Sequence, residues 1–337
     1  MIPSYNYFPT LAICVILSPM NEVVSASAFG KIILFGEHAV VYGRPAIAVP
    51  VRQVEAEATV EPARRSPDQT GAQRPTIRAS DLDQTFKVDP ENTSNPLVVA
   101  TVSTLRHLEV GFEQDLLIQI ESSVPVGRGL GSSAAVSAAL VQAVARYFDM
   151  ELSPQEVSRL TYETEVIHHG TPSGIDNTVI AYDQPVYFVR EQPVERFDVG
   201  RPLHLVIADT GITTPTHETV GDVRAGWQRD PATYEALFDE IGGIVDAARV
   251  AIADGGLVEV GRLMDENHAR LRQLDVSCDE LDRLVYAARG AGAMGAKMSG
   301  GGRGGNIVAV AMPWAVEGVV AALRRAGAVM VIETVVR

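Results

Sequence analysis

The stretch "VPVGRGLGSSAAVSAALVQAVARYF" (Val124–Phe148) sets three glycines and two serines between a proline turn and a long apolar helical pattern. Glycine in regular structure costs about 0.5–1 kcal/mol relative to alanine. Gly127, Gly129 and Gly131 together exceed what a helix cap needs. They let the backbone turn so that several N–H groups point one way. Ser132 or Ser133 is expected to cap a helix that starts near Ala134. A helix N-terminus carries bare donors and a partial positive charge, which suits a phosphate. The loop is not a Walker A loop, because no lysine follows Gly131. It is not a dinucleotide fingerprint either, because Ser132 ends the glycine run too early. A literal G-x-G-x-x-G does occur at Gly300, Gly302 and Gly305, but a strand pattern, "NIVAVAM", follows it. The fingerprint needs a helix there, so that match is set aside.

Outward from this loop, strand and helix patterns alternate. "VVSASAFGKIILF" and "AIAVPVRQVEAEATV" read as strands around the loop "GEHAVVYGRP". Residues 62–75 read as an exposed turn-rich loop, and "TIRAS" and "TFKVD" as short edge strands. Asn95-Pro96 opens a helix, "DLLIQIESSV" is a strand, and Ser153, Pro154 and Glu156 form a helix start signal. The Pro-rich segment 184–202 is the expected domain boundary. Beyond it come a buried strand "LHLVIADT", helical patterns over 229–253, 255–274 and 278–291, the strand "IVAVAM", a helix and a last strand. Without the even spacing of a barrel, the class is α+β with mixed sheets.

The chain has 337 residues, enough for two domains with sizeable cores. Its net charge of −14 makes it a poor partner for nucleic acid or anionic membranes. Cys14 and Cys278 lie too far apart for a disulfide framework or a metal spacing, which points to the reducing cytoplasm. The apolar run Leu11–Leu17 is too short to span a bilayer, and no Lys or Arg precedes Lys31 to form the basic region of a signal peptide. Residues 1–19 are expected to be a disordered extension, with Met20 a candidate start.

Two further groups carry chemistry. "GKIILFGEHAVVYGRPAIAV" places Lys31, Glu37 and His38 around a strand–loop connection. "ETEVIHHGTPSGIDN" places Glu165 on a helix and Asp176 in a Gly/Pro loop. Singly each has a plain reading: Lys31 as an edge-strand lysine, Asp176 as a turn aspartate, and His38, His168 and His169 as hydrogen-bonding residues rather than metal ligands.

Together the three segments resemble the signature motifs of the GHMP kinases, over roughly residues 24–337. "GEHAVVYGRPAIA" and "HGTPSGIDNTV" are most similar to the mevalonate kinase family. Galactokinases are expected to carry an arginine and E-H-x-D-Y in the first motif, and homoserine kinases lack the loop aspartate. The resemblance implies a two-domain fold. Residues 20–190 form an ATP-binding domain like ribosomal protein S5 domain 2, and residues 200–337 a ferredoxin-like domain. It implies that Pro125, Val126, Gly127, Arg128, Gly129, Leu130, Gly131, Ser132, Ser133, Ala134 and Ala135 wrap the triphosphate of ATP. Ser133 and Glu165 then hold Mg²⁺, and Asp176 with Lys31 acts at the substrate hydroxyl. Glu37, His38, Thr216, Ser299 and Gly300 lie on the substrate side, and the segment from Lys297 to Asn306 lines the site beside the first loop.

The implied reaction is ATP-dependent phosphorylation of the 5-hydroxyl of mevalonate, in isoprenoid precursor synthesis. Two alternatives stand beside it: a related kinase acting on phosphomevalonate or a sugar, and a non-catalytic sensor on the same fold. The implied partners are mevalonate and ATP, with no nucleic acid and no membrane, and homodimers are common among relatives. The chain departs from the family pattern at Arg128, where a small residue is usual, at Ser299 (Thr), at Asn306 (Cys) and at His217 (Lys or Arg).

Overall fold

Alternation of small apolar and charged residues in "VEAEATV" makes one face of a strand buried and the other wet. That strand is β2 (Ala46–Pro62), paired antiparallel with β1 (Val24–Phe35). Val54, Ala56, Ala58 and Val60 are buried while Glu55 and Glu57 face solvent. The computed structural model describes residues 23–63, 73–80, 84–169 and 172–337. The expected extension over 1–19, Cys14, Gly170, Thr171 and most of the 62–75 loop lie outside the described residues.

The length of β2 lets it serve several partners. Ala56–Pro62 pairs with β5 (Leu116–Ser122), and Ala46–Ala48 with β6 (Val186–Phe188). β3 (Thr76–Ala79) runs parallel to β5 and carries β4 (Gln84–Lys87), and β7 (Glu195–Arg196) closes the other end of this seven-stranded sheet. The segment read as a boundary thus still feeds the first sheet through β6 and β7.

Four helices accompany this sheet, two packed on its strands and two packed on those helices. Asn95 caps α1 (Pro96–His107), its Oδ1 accepting from Leu97 N at 3.0 Å. α2 (Ser132–Tyr147) packs on β1 and β2 and is alanine-rich, with Ala134, Ala135, Ala138 and Ala139 fully buried. A helix this apolar on most sides belongs inside the core. α3 (Pro154–His169) starts with a complete capping box. Ser153 Oγ accepts from Glu156 N at 3.3 Å, and Glu156 Oε2 accepts from Ser153 N at 2.8 Å. α4 (Ile175–Tyr182) follows at once.

The second sheet has four antiparallel strands in the order β11 (Met330–Val336), β8 (Leu203–Asp209), β10 (Asn306–Ala311), β9 (Gly295–Ser299). Between β8 and β9 lie α5 (Thr216–Arg229), α6 (Pro231–Ala253), α7 (Leu257–Gln273) and α8 (Asp279–Gly290), and α9 (Val316–Arg325) precedes β11. With the helices grouped, this is the βαββαβ connectivity of a ferredoxin-like unit.

The structure corrects three local readings. α2 starts at Ser132, and its N-cap is Gly131, not a serine, with φ of 76° and no side-chain cap bond. Glycine takes this left-handed conformation without the Cβ penalty, so the chain turns straight into the helix. Asp176 is not in a loop but in the first turn of α4, whose N-cap Gly174 is also left-handed, at φ 91°. α5 went unread because its sequence is mostly polar and only Thr219, Val223 and Gly226 are buried. The rejected G-x-G-x-x-G lies between two antiparallel strands, β9 and β10, where no dinucleotide helix can start.

Candidate active site

The first glycine loop, just before it turns into α2, touches the second sheet at Asp209 and Asn306. Leu130 anchors that loop: its side chain is fully buried and its carbonyl accepts from Lys31 N at 2.9 Å. Gly127, Gly129 and Gly131 all have positive φ, at 70°, 73° and 76°. Around the buried leucine they form an exposed, amide-rich turn. A Cβ at Gly131 would sit 2.9 Å from Lys31 Cγ and 3.0 Å from Ile180 Cδ1. The loop therefore touches both the strand that carries Lys31 and the helix that carries Asp176.

Lys31 projects from β1 and is 3% exposed; its Nζ lies 2.9 Å from Asp176 Oδ2. Asp176 is about a third exposed. Behind it Glu165, on α3, is buried and its carboxyl is pushed up to about 7. Burial is the main cause and the charge of Asp176 the second, while the Ser133 hydroxyl and the Lys31 charge pull the other way. Lys31, Ser133, Glu165 and Asp176 thus converge from four elements.

Hard oxygen donors at Ser133 and Glu165, beside a second carboxylate that repels Glu165, fit a divalent cation: positive charge there relieves the repulsion. Among the described residues no cluster of three or more His, Cys, Asp or Glu could cage a metal. Mg²⁺ in general takes one or two protein oxygens and completes its shell with water and phosphate.

The expected substrate-side residues split into two groups. Thr216 opens α5 and crowds Gly301, whose added Cβ would lie 3.1 Å from Thr216 Oγ1. His38 Nε2 pairs with Gly301 O at 3.0 Å, and burial holds its ring down at about 4, so it is neutral at pH 7. Glu37 and Ser299 point into the protein instead. Ser299 Oγ donates to Ile33 O at 2.8 Å, and the Glu37 carboxylate pairs with Lys297 Nζ, the two being 1% and 0% exposed. Gly300, at φ 90°, forms the turn out of β9. His217 is exposed on α5. The Glu37–Lys297 bridge and the contacts of Arg128 and Asn306 were not legible from the sequence, since each joins segments far apart in the chain.

Comparison with known proteins follows this geometry. Residues 96–184 match the GHMP kinases N terminal domain, and residues 248–329 the GHMP kinases C terminal domain. A mevalonate kinase from Thermococcus sibiricus is 37% identical over 325 residues, 93% of this chain and 96% of that protein. The mevalonate kinase of Pyrococcus horikoshii is 35% identical over 333 residues, 94% of this chain and 97% of its own.

The chain belongs to the mevalonate kinase family of GHMP kinases.

The solved L. major mevalonate kinase in complex with R-mevalonate superposes with a TM-score of 0.80 at 30% identity, covering 95% of this chain and 98% of that one. The two-domain GHMP kinase fold expected from the motifs is therefore the observed one. As a kinase of this family the protein uses ATP as co-substrate. Among the described residues no helix is long and apolar enough to cross a membrane.

Proposed function

We propose that this GHMP kinase transfers the γ-phosphoryl group of ATP to the 5-hydroxyl of mevalonate, as a step of isoprenoid precursor synthesis in the cytoplasm. The observation that carries the reading is the 2.9 Å pair of Lys31 and Asp176 set against Gly131 of the glycine loop. The first sheet and its helices form the nucleotide-binding unit, and the second sheet and its helices the unit that closes the substrate side.

Phosphoryl transfer leaves the protein little covalent work, so positioning and charge neutralisation dominate. The loop from Pro125 to Ala135 holds the triphosphate by main-chain amides at the N-terminus of α2. Ser133 and Glu165 would hold Mg²⁺, which would supply charge neutralisation to the phosphate oxygens. Asp176 accepts the hydroxyl proton as the new P–O bond forms, and Lys31 steadies the developing alkoxide charge. The two act as a pair, because each side chain is the other's nearest opposite charge. Thr216 and His38 orient the acceptor against Gly301. The neutral ring of His38 adds a hydrogen-bonding edge without adding a positive charge.

The test is Asp176→Asn assayed with a panel of mevalonate, phosphomevalonate and sugars, the products followed by ³¹P NMR. Turnover on mevalonate should fall by about 10²–10⁴, the usual worth of a general base, with ATP binding retained. Activity within twofold of the parent refutes the role of Asp176. Product from another acceptor alone refutes the substrate.

A further inference from the structure

Arg128 is the one charged residue in the glycine loop, and its guanidinium does not point at solvent. Its Nη1 lies 3.3 Å from Asp209 Oδ1 and 3.2 Å from Oδ2. Asp209 ends β8 with a side chain only 2% exposed, and its Oδ1 also accepts from Gly211 N at 2.8 Å. The backbone of Arg128 is held as well: its carbonyl accepts from Asn306 Nδ2. Asp209 and Asn306 are direct cross-strand partners in the β8–β10 ladder. A single pair of facing residues on the second sheet therefore grips Arg128 by both side chain and main chain.

This grip answers a problem that the loop sets itself. Three glycines with φ near 70–76° give the turn its amides, but the same freedom spreads the free loop over many shapes. Leu130 fixes the side of the loop nearer α2. Nothing in "PVG" can fix the other side, where Pro125 lacks a donor and Val126 is 75% exposed. We propose that Arg128 is a positioning residue. Its ion pair with Asp209 clasps the nucleotide loop onto the C-terminal sheet and holds it in the shape that receives the triphosphate. The inference rests on the reading of this loop as the ATP site. It assigns Arg128 an action through Asp209 rather than a direct bond to phosphate, and it makes Asp209 part of nucleotide affinity although it touches no nucleotide.

The two roles for Arg128 separate in Asp209→Asn. Asparagine keeps an oxygen for Gly211 N but removes the charge that holds the guanidinium. ATP binding is measured by calorimetry with Mg²⁺, and steady-state rates with mevalonate, on the wild type, R128M, R128K, D209N and R128M/D209N. Each of R128M and D209N should raise the Kd and KM for ATP about tenfold, the lower end of what a charge-assisted hydrogen bond is worth. The double variant should be no worse than either single one, and R128K should recover part of the loss. The rise in KM for ATP should exceed any change in kcat, and the KM for mevalonate should stay within about twofold.

If D209N binds ATP as tightly as the wild type or tighter while R128M weakens it, Arg128 acts on the phosphate directly and the clasp is overturned. Losses that multiply in the double variant also overturn it, as does an equal fall of kcat across the series. If D209N fails to fold, by its thermal midpoint, R128M and R128K carry the same KM-against-kcat split. A wild-type chain that takes up no ATP overturns the nucleotide reading and the clasp together; ATP uptake unchanged in every variant overturns the clasp alone.

Discussion

Removing either half of the Glu37–Lys297 pair should destabilise the protein with opposite dependence on pH. Both side chains are fully buried, and they join the loop after β1 to β9 of the other sheet. Burial pushes the Glu37 carboxyl up and the Lys297 amine down, and each is kept in place by the other's charge. Intact, the pair holds one proton whether it is drawn as two ions or as two neutral groups. The unfolded chain also holds one between pH 5 and 9, so the intact pair adds no slope there.

In Lys297→Met the stranded carboxyl binds a proton in the folded state that the unfolded chain releases. Stability then falls as pH rises, by up to about 1.4 kcal/mol per pH unit. Counted from the ordinary value of 4.5, neutralising Glu37 at pH 7 costs about 3.4 kcal/mol, shrinking to about 0.7 at pH 5. In Glu37→Gln the stranded lysine is neutral when folded and charged when unfolded, so stability rises with pH. Counted from 10.5, the cost is about 4.8 kcal/mol at pH 7 and grows toward acid. The two pH 7 values, about 3.4 and about 4.8 kcal/mol, fall within the roughly 3–5 kcal/mol typical of a broken buried pair. The double variant Glu37→Gln with Lys297→Met should recover at least about 2 kcal/mol of the summed losses. The assay is urea unfolding of all four proteins at pH 5, 6, 7 and 8, each read as a difference from the wild type. Two single-variant lines of the same sign, or flat lines, would refute the buried-pair argument.

Two further outcomes follow from the site. Ser133→Ala and Glu165→Gln should each raise the Mg²⁺ concentration needed for half-maximal rate by about tenfold or more, as removal of a hard oxygen ligand requires; an unchanged Mg²⁺ titration would assign the ligands elsewhere. Gly131→Ala forces a Cβ onto a left-handed residue and within 2.9 Å of Lys31 Cγ. It should cost about 1–2 kcal/mol of stability and cut kcat at least about tenfold by moving Lys31 off Asp176, so full turnover with a lowered thermal midpoint would show that the lysine has room to adjust.

The elements visible in the sequence were those whose packing repeats at short range. β2 shows its buried face in a strict alternation, and α3 announces itself by Ser153 and Glu156, whose bonds close within four residues. The second unit was legible as a succession of patterns, although its sheet order was not. α5 failed this test because its three buried residues lie among charges, and its place is set by distant partners such as the ion pair of Asp222 with Arg303. The same limit governs the site. The motif segments could be read in place, but Glu37 and Lys297 are 260 residues apart, and Arg128 and Asp209 are 81 apart. A single chain read in order carries no signal that pairs them. By motif position alone Glu37 and Ser299 read as substrate-side residues, whereas the structure gives both side chains buried protein partners.

The starts of α2 and α4 share one feature that suits the proposed site: a left-handed glycine N-cap with no side-chain cap bond. A serine N-cap would turn its hydroxyl onto the first amides of α2 and satisfy a donor that the phosphate needs. Gly131 makes the same turn and places no side chain there. That leaves the Ser133 hydroxyl to act on Glu165 rather than on its own helix. α4 repeats the device with Gly174, again without a side-chain cap bond, and sets Asp176 in its first turn. The positive ends of two helices therefore approach Lys31 together, one through Gly131 and one through Asp176. A carboxylate in the first turn is favoured by its own helix dipole, and the other helix end remains open to an incoming anion. Glycine at both caps thus gathers positive potential around one aspartate and leaves the first amides of α2 without a side-chain cap, which is what the proposed nucleotide site asks of them.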